Sequence, residues 1–540
     1  MPYNDRDMEA VKKQSKRSHV QLLFLLLIIL LQVYLCFTMR IQLDEPYYAA
    51  LGYRFATGTR MFVDEWHISQ MFGFLTMPFV WFWMHVSGGT DGVVLFLRFC
   101  YLVMSLVTFF LFMKKYGTYP NAYAAGIMIL LFAPLNMMSL SYNTIGILAL
   151  LQAHCLIHTG KLKSFVAGIL FSCAVLSTPY LVLLFAGIVI HSLRHWKQWD
   201  REKKDESLLA FLGILLMVAL FCLFVFQRSS PAQVIEGIRQ LPARNQNHFS
   251  GRNPILLMGY RFVIGGWESF GPFIFLQFAA MVAAVISKKP LAQKVCNVLG
   301  MISAAYFLVQ QIRMLDAPSI SNLYLPLSLA AFPWMLKGED KTLKALYFLF
   351  LLDALFFGYS SNLGLKSFSQ ALVVADAAIL MAVDGKQMRC VTLLMVAGTL
   401  LLHWNMVPSA EGTILKDGPM QGIRVPASYG QAYEDTVSFL KDADSLKESD
   451  AYYLVTDSSW QHMLLRNHRS LNFSTYQDTV SKEEHISLFN ENLRQKKPDD
   501  FLLIFSNSYQ NLQIDDFDLS DYDVRSLKDR VYLLVRHDLP

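Results

Sequence analysis

Apolar and polar runs alternate along the first 406 residues. Thirteen apolar stretches stand out, at 19–39, 92–113, 121–140, 143–158, 164–179, 180–194, 207–227, 268–287, 295–312, 321–336, 342–359, 366–383 and 389–406. Many approach the roughly 18 to 20 residues that carry a helix across a hydrocarbon core. The links between them alternate in character. Lys12, Lys13, Lys16 and Arg17 precede the first stretch. Lys114 and Lys115, then Lys161 and Lys163, then Arg194 to Lys204 fall at alternate links after it. Lys288, Lys289 and Lys294, then Lys337, Lys341 and Lys344, then Lys386 and Arg389 continue the series. Basic residues collect on the cytoplasmic side of a bilayer. The pattern therefore predicts an α-helical polytopic membrane protein of about 13 transmembrane helices. Its N-terminus is cytoplasmic and everything after residue 406 is outside. The first stretch lacks a small-residue cleavage site and reads as a retained anchor.

Two outer links depart from the simple pattern. The link at 40–91 is long but not polar. Asp44 and Pro46 read as a helix start and Gly58 as a helix stop, with Tyr47, Tyr48, Leu51 and Phe55 forming an apolar face. A second apolar stretch, Ile68 to Met84, is interrupted by Gly73 and Pro78. Two helices lying in the interface fit the lysine series better than one more span. The link at 228–256 carries Arg228, Arg239, Arg244, His248 and Arg252 against the single acid Glu236. Arginines are disfavoured on the outer side, so an anion is the expected reason for them.

Beyond residue 406 the composition changes. A Gly/Pro-rich linker over 411–430 precedes helix-like charged stretches at 431–443 and 482–495. Apolar runs at 452–455 and 501–505 and a last strand at 531–535 complete the pattern. Residues 407–540 are expected to form a small extracytoplasmic α/β domain behind a membrane module of 1–406.

Of the 540 residues 54% are hydrophobic and only 16% charged, against roughly 25% charged in a soluble domain. All seven cysteines lie in or beside apolar stretches, which argues against a disulfide framework. There is one glycosylation sequon, Asn472-Phe473-Ser474. These features are in keeping with a bacterial inner membrane. The sequence has no metal-ligand spacing, nucleophile elbow or phosphate-cradling glycine loop, and no nucleic-acid partner is expected.

The chemistry concentrates where the chain leaves the first span. Two adjacent carboxylates, Asp44 and Glu45, sit there at headgroup depth, where an acid is costly unless solvated, paired or used. Asp64 and Glu65 follow, beside Trp66 and His67. Each pair also suits a helix cap. Arg244, Arg252, Arg313 and Lys366 all fall on outer links, and are candidates to hold a phosphate. Asp353 and Asp376 fall inside spans, where a buried acid is a functional candidate by default. A divalent cation between Asp44 and Asp64 is compatible with the sequence but not required by it.

A first span followed by Asp44-Glu45 and Tyr47-Tyr48, then an acidic and aromatic outer loop and an arginine early in span two (Arg98), resembles the GT-C superfamily of membrane glycosyltransferases. Protein O-mannosyltransferases and lipid A aminoarabinose transferases are the most similar members. The resemblance covers the topology of about 400 residues. It implies a polyprenyl-phosphate-linked sugar as donor and an extracytoplasmic glycan, lipid or protein as acceptor. The first-loop acid implied to activate the acceptor corresponds to Asp44. Many members carry a further acid at the outer end of span three or the start of span four. Here that link reads Ser141-Tyr142-Asn143-Thr144, so the role would pass to Asn143, to Asp64 or Glu65, or to nothing. Two other functions stay open: a transporter or lipid flippase using Asp353 and Asp376, and an oligosaccharide ligase using a pyrophosphate carrier.

Overall fold

The structure, a computed structural model, describes residues 5–41, 44–244, 254–313, 320–360, 364–382, 407, 412–473, 482–507 and 512–537. Its first part is helical. In chain order the helices are α1 (Asp5–Thr38), α2 (Asp44–Ala56), α3 (Gln70–Ser87), α4 (Val93–Tyr116), α5 (Ala122–Leu130) and α6 (Tyr142–Leu156). Then come α7 (Lys161–Ser177), α8 (Leu181–His195), α9 (Arg201–Phe226), α10 (Pro231–Arg244), α11 (Pro254–Phe270) and α12 (Phe273–Ser287). The series closes with α13 (Pro290–Arg313), α14 (Tyr324–Lys337), α15 (Lys341–Ser360) and α16 (Leu365–Ala382). Among the described residues α1, α4, α9, α13 and α15 are long and apolar enough to cross a membrane. The pair α11 and α12, bent by 113° at Gly271-Pro272, would make a sixth.

Every apolar stretch read from the sequence falls on helix, except 389–406, which lies outside the described residues. Three boundaries differ. The stretch at 121–140 is helical only to Leu130. Pro134 opens a short 3-10 turn in which Leu135 takes a left-handed conformation, φ 50°. The missing amide and fixed ring of proline stop the helix. The link at 228–256 contains α10, and α11 begins well before the expected 268. The link at 40–91 holds two helices, α2 and α3.

Small residues set how closely these helices pack. A Cβ on Gly168 of α7 would collide with the Ala210 carbonyl oxygen, and one on Gly213 of α9 with the Phe165 carbonyl oxygen. The two backbones therefore touch through reciprocal glycines, a mode familiar from membrane helices. The intervening α8 buries only Leu181.

The C-terminal part begins with a hairpin of β1 (Thr413–Ile414) and β2 (Arg424–Val425), antiparallel. The expected Gly/Pro-rich linker is thus a built element. Its tip docks on the start of α4, where the amides of Gly92 and Val94 donate to the carbonyls of Gly418 and Pro419, both at 3.0 Å. Next come α17 (Ala427–Asp444), β3 (Ala451–Val455), β4 (Arg469–Ser470), α18 (Lys482–Lys496), β5 (Asp500–Phe505), β6 (Tyr522–Lys528) and β7 (Val531–Arg536). The sheet order is β4-β3-β5-β7-β6, parallel across β4, β3 and β5 and antiparallel from β5 to β7 to β6.

The strand period of two divides this sheet between two cores. Tyr452, Leu454, Leu502 and Ile504 face a core continuous with the helical part. Tyr453, Val455, Phe501 and Leu503 face the other way, onto Phe489 of α18. The α/β domain is thereby packed onto the helical module through one sheet face. Asn472, the sequon residue, is fully buried and bridges both backbone groups of Leu454.

Candidate functional site

Proline in the first turn suits the start of a helix, where no intrahelical partner is lost. Asp44-Glu45-Pro46 opens α2 in this way. The start is fixed by Arg98, fully buried in α4. Its Nη2 and Nε donate to Glu45 Oε2 at 2.6 and 3.2 Å. Its Nη1 donates to the Cys36 and Met39 carbonyls at 2.9 and 3.0 Å. The other Glu45 oxygen accepts the Met138 amide at 3.1 Å. One buried ion pair therefore holds the end of α1, the start of α2, α4 and the segment entering α6. Burial pushes the Glu45 carboxyl up, against the pull of Arg98 and the Met138 amide.

Asp44 differs from its neighbour. It is partly buried and has no hydrogen-bond or ion-pair partner among the described residues. Burial, and then the charge of Glu45, raise its carboxyl above the usual range. Positions three and four residues on share its helix face, so Tyr47 and Tyr48 line that side. The Tyr47 hydroxyl meets Ser69 Oγ at 3.2 Å, which also meets His67 Nδ1 at 2.7 Å. The His67 ring lies 5.0 Å from that of Tyr47. Tyr48 meets Phe72 at 5.3 Å and Tyr142 at 5.8 Å between centroids. These contacts bring His67 and the start of α6 to the α2 face.

Asn143 follows Tyr142 at the start of α6. A reciprocal capping box fixes the local chain: Thr144 N–H donates to Ser141 Oγ at 3.1 Å, and Ser141 N–H to Thr144 Oγ1 at 2.8 Å. Asn143 is fully buried, and neither its amide oxygen nor its nitrogen has a partner among the described residues. Buried amides are nearly always hydrogen-bonded, so this side chain is set apart.

The second acidic pair is engaged elsewhere. Asp64 accepts from Arg60 Nε and Nη2 at 2.8 and 3.0 Å and lies 3.9 Å from Lys496 Nζ. Burial would raise its carboxyl, but the Arg60 hydrogen bonds and the Lys496 charge bring it below the usual range. Glu65 is fully buried against Arg54, 3.2 Å away. Arg54 Nη2 also donates to the Asn472 carbonyl at 2.5 Å. Trp66 stacks on Phe473. Asp64, Glu65 and Trp66 thus form the seam between the first loop and the α/β domain.

The phosphate candidates are only partly placed. Arg244, Arg313 and Lys366 stand at the ends of α10, α13 and α16, and Arg252 lies outside the described residues. Arg228 is engaged at the end of α2, where its Nη1 donates to the Phe55 carbonyl at 3.1 Å. Among the described residues no group of three or more His, Cys, Asp or Glu is placed to hold a metal ion. Asp353 and Asp376 are both fully buried. Asp376 accepts from Ser328 at 2.5 Å, and neither oxygen of Asp353 has a partner among the described residues.

The sequence pattern did not single out Arg54, Arg60 or Lys496, which hold the seam. For Arg54 and Arg60 the one visible signal was basic residues inside a loop otherwise acidic and aromatic, and Lys496 ends α18, far along the chain. No protein-family model matches the chain, and no curated protein sequence matches it.

Proposed function

We propose that this chain is a membrane glycosyltransferase that moves one sugar from a polyprenyl-phosphate donor to an extracytoplasmic acceptor, with Asp44 as general base. The reading takes the N-terminus as cytoplasmic and the α/β domain as outside, from the lysine series. The observation that carries it is the contrast between two adjacent acids. Glu45 is locked by Arg98 and Met138, while Asp44, one residue away, is unpartnered among the described residues with a raised carboxyl. A base needs to be free to take a proton and to have an affinity near the working pH.

In this mechanism Asp44 takes the proton of the acceptor hydroxyl. The acceptor oxygen attacks the anomeric carbon, and the bond from that carbon to the carrier phosphate breaks with its electron pair going to the phosphate. The anomeric configuration inverts. Glu45 acts as a positioning residue, and Arg98 holds it. Arg244, Arg252, Arg313 and Lys366 are the candidates to steady the leaving phosphate. The test is transfer from a panel of radiolabelled polyprenyl-phosphate sugars to a membrane extract, with wild type against Asp44→Asn. Transfer lost in a folded Asp44→Asn supports the reading, and unchanged transfer removes it.

One observation favours a second reading, transport without bond chemistry. Asp353 is fully buried in α15, with both oxygens unpartnered among the described residues. In that case Asp353→Asn and Asp376→Asn abolish function and Asp44→Asn is silent.

A further inference from the structure

A groove of about 710 Å³ lies between the ends of α1, α3 and α4 and the β1–β2 hairpin. Its size falls in the range of small-molecule sites. Its floor is Phe37 at the end of α1 and Leu95, Phe96 and Phe99 at the start of α4. Trp83 of α3 and Ile414 of the β1–β2 hairpin wall it. The walls are made by aromatic packing. Phe37 meets Phe99 at 5.4 Å between centroids, and Trp83 stacks on Phe96 at 4.8 Å with its Nε1 donating to the Asp91 carbonyl. Ile414 is 60% exposed.

The groove is the outer end of a longer furrow. Along α1 the exposed residues Leu23, Leu27, Leu30, Tyr34 and Phe37 recur every three or four positions, one helical face. On α4, Val103, Val107 and Phe110 continue from Phe99 in the same manner. Two apolar faces thus lead from the spans directly into a cleft roofed by the hairpin. A hydrocarbon chain lying along such faces meets no polar barrier on its way in.

Arg98, three residues after Leu95, is buried beside the groove in its pair with Glu45. The charges beside the groove bear on which headgroup it suits. Asp91 and Asp417 share Lys441, at 3.4 and 2.5 Å, Glu434 accepts the Lys416 amide, and Lys416 is exposed. Lys416, Lys441 and Arg424, which pairs across the hairpin with Ile414, match Asp91, Asp417 and Glu434 in number, so no net positive charge favours a carrier phosphate and both signs are present for a zwitterionic headgroup.

We infer that this groove binds the acyl chain of a bilayer phospholipid, which fills the gap between the β1–β2 hairpin and the spans α1 and α4. The inference rests on the proposed placement of α1 and α4 in a bilayer. The bound lipid joins the α/β domain to the membrane surface, beside the hydrogen bonds of Gly92 and Val94 to the hairpin.

The test is photo-crosslinking of the full chain in phosphatidylcholine vesicles. One set is doped with a phospholipid carrying a diazirine on its acyl chain, and a second with a diazirine-bearing polyprenyl phosphate. Labelled residues are mapped by mass spectrometry. Labelling of Ile414 and Leu415 by the phospholipid, together with the exposed stripes of α1 and α4, is the expected result. In Ile414→Glu the hairpin labelling falls several-fold while that of the stripes is unchanged. Labelled stripes with an unlabelled hairpin overturn the groove assignment and leave the membrane placement standing. Absence of label on both overturns both. Preferential hairpin labelling by the polyprenyl phosphate overturns the choice of lipid.

Discussion

Trp66 lies flat on Phe473, with 3.9 Å between ring centroids and 20° between planes. The contact joins the first loop to the α/β domain some 400 positions later. Lys496 Nζ sits 4.7 Å from the centroid of the same Phe473 ring. Aromatic pairs of this kind contribute about 0.5–1.5 kcal/mol beyond their burial. A double-mutant cycle of Trp66→Leu and Phe473→Leu, read by thermal unfolding, should return a coupling in that range. A coupling of zero would mean that the two surfaces do not hold each other.

The Arg98–Glu45 pair is buried and ties four segments together. Removing one partner leaves a buried charge, which costs about 3–5 kcal/mol. Glu45→Gln and Arg98→Met are each expected to lower the unfolding temperature sharply. The double variant should recover part of the loss, because no lone charge remains. Equal stability of all three variants and the wild type would contradict the buried pairing.

Asp44 sets two opposite pH trends. Its carboxyl is raised, so under the proposed mechanism transfer should increase as pH rises through that value, the ionised form acting as the base. Stability runs the other way. A carboxyl with a raised folded pKa contributes stability below its unfolded value, and this is lost as pH rises through the folded one. Asp44→Asn should therefore unfold at a slightly higher temperature than wild type at neutral pH, while transfer falls by about 10²- to 10⁴-fold. Measuring both on the same preparation separates loss of chemistry from loss of fold.

Much of this architecture was legible in the sequence. Long apolar runs announce helices regardless of context, and the short apolar runs at 452–455 and 501–505 announce buried strands. Asp44-Glu45-Pro46 reads as a helix start because proline and two acids all favour that position. The roles of Asp64 and Glu65 were not legible. Their partners are Arg60 and Arg54 within the loop, and Arg54 and Asp64 reach on to the Asn472 carbonyl and Lys496, more than 400 residues away. Nothing in local spacing distinguishes an acid committed to such a seam from one facing a substrate. The early end of α5 was available in Pro134 but was outweighed by the surrounding apolar run.

Lys496 offers a titration at the seam. Burial lowers its amine to about 7, with Asp64 opposing and Arg54, Arg469 and Arg60 assisting. Above that pH the folded chain holds a neutral amine while the unfolded chain still binds the proton. Stability should rise with pH from about 7 towards the ordinary lysine value near 10.4, by about 1.4 kcal/mol per unit for one proton. Lys496→Met should flatten this slope. An unchanged slope in the variant would place the proton elsewhere.

The reciprocal glycines of α7 and α9 bear on how the chain is assembled. During synthesis α7 emerges first, and its glycine face has no partner until α8 has passed and α9 has followed. That face must wait, open to lipid or to a chaperone, while α8 is laid to one side. A bulky residue at Gly168 or Gly213 would therefore act at biogenesis, before any finished protein exists to be measured, and would be seen as missing protein rather than as altered function.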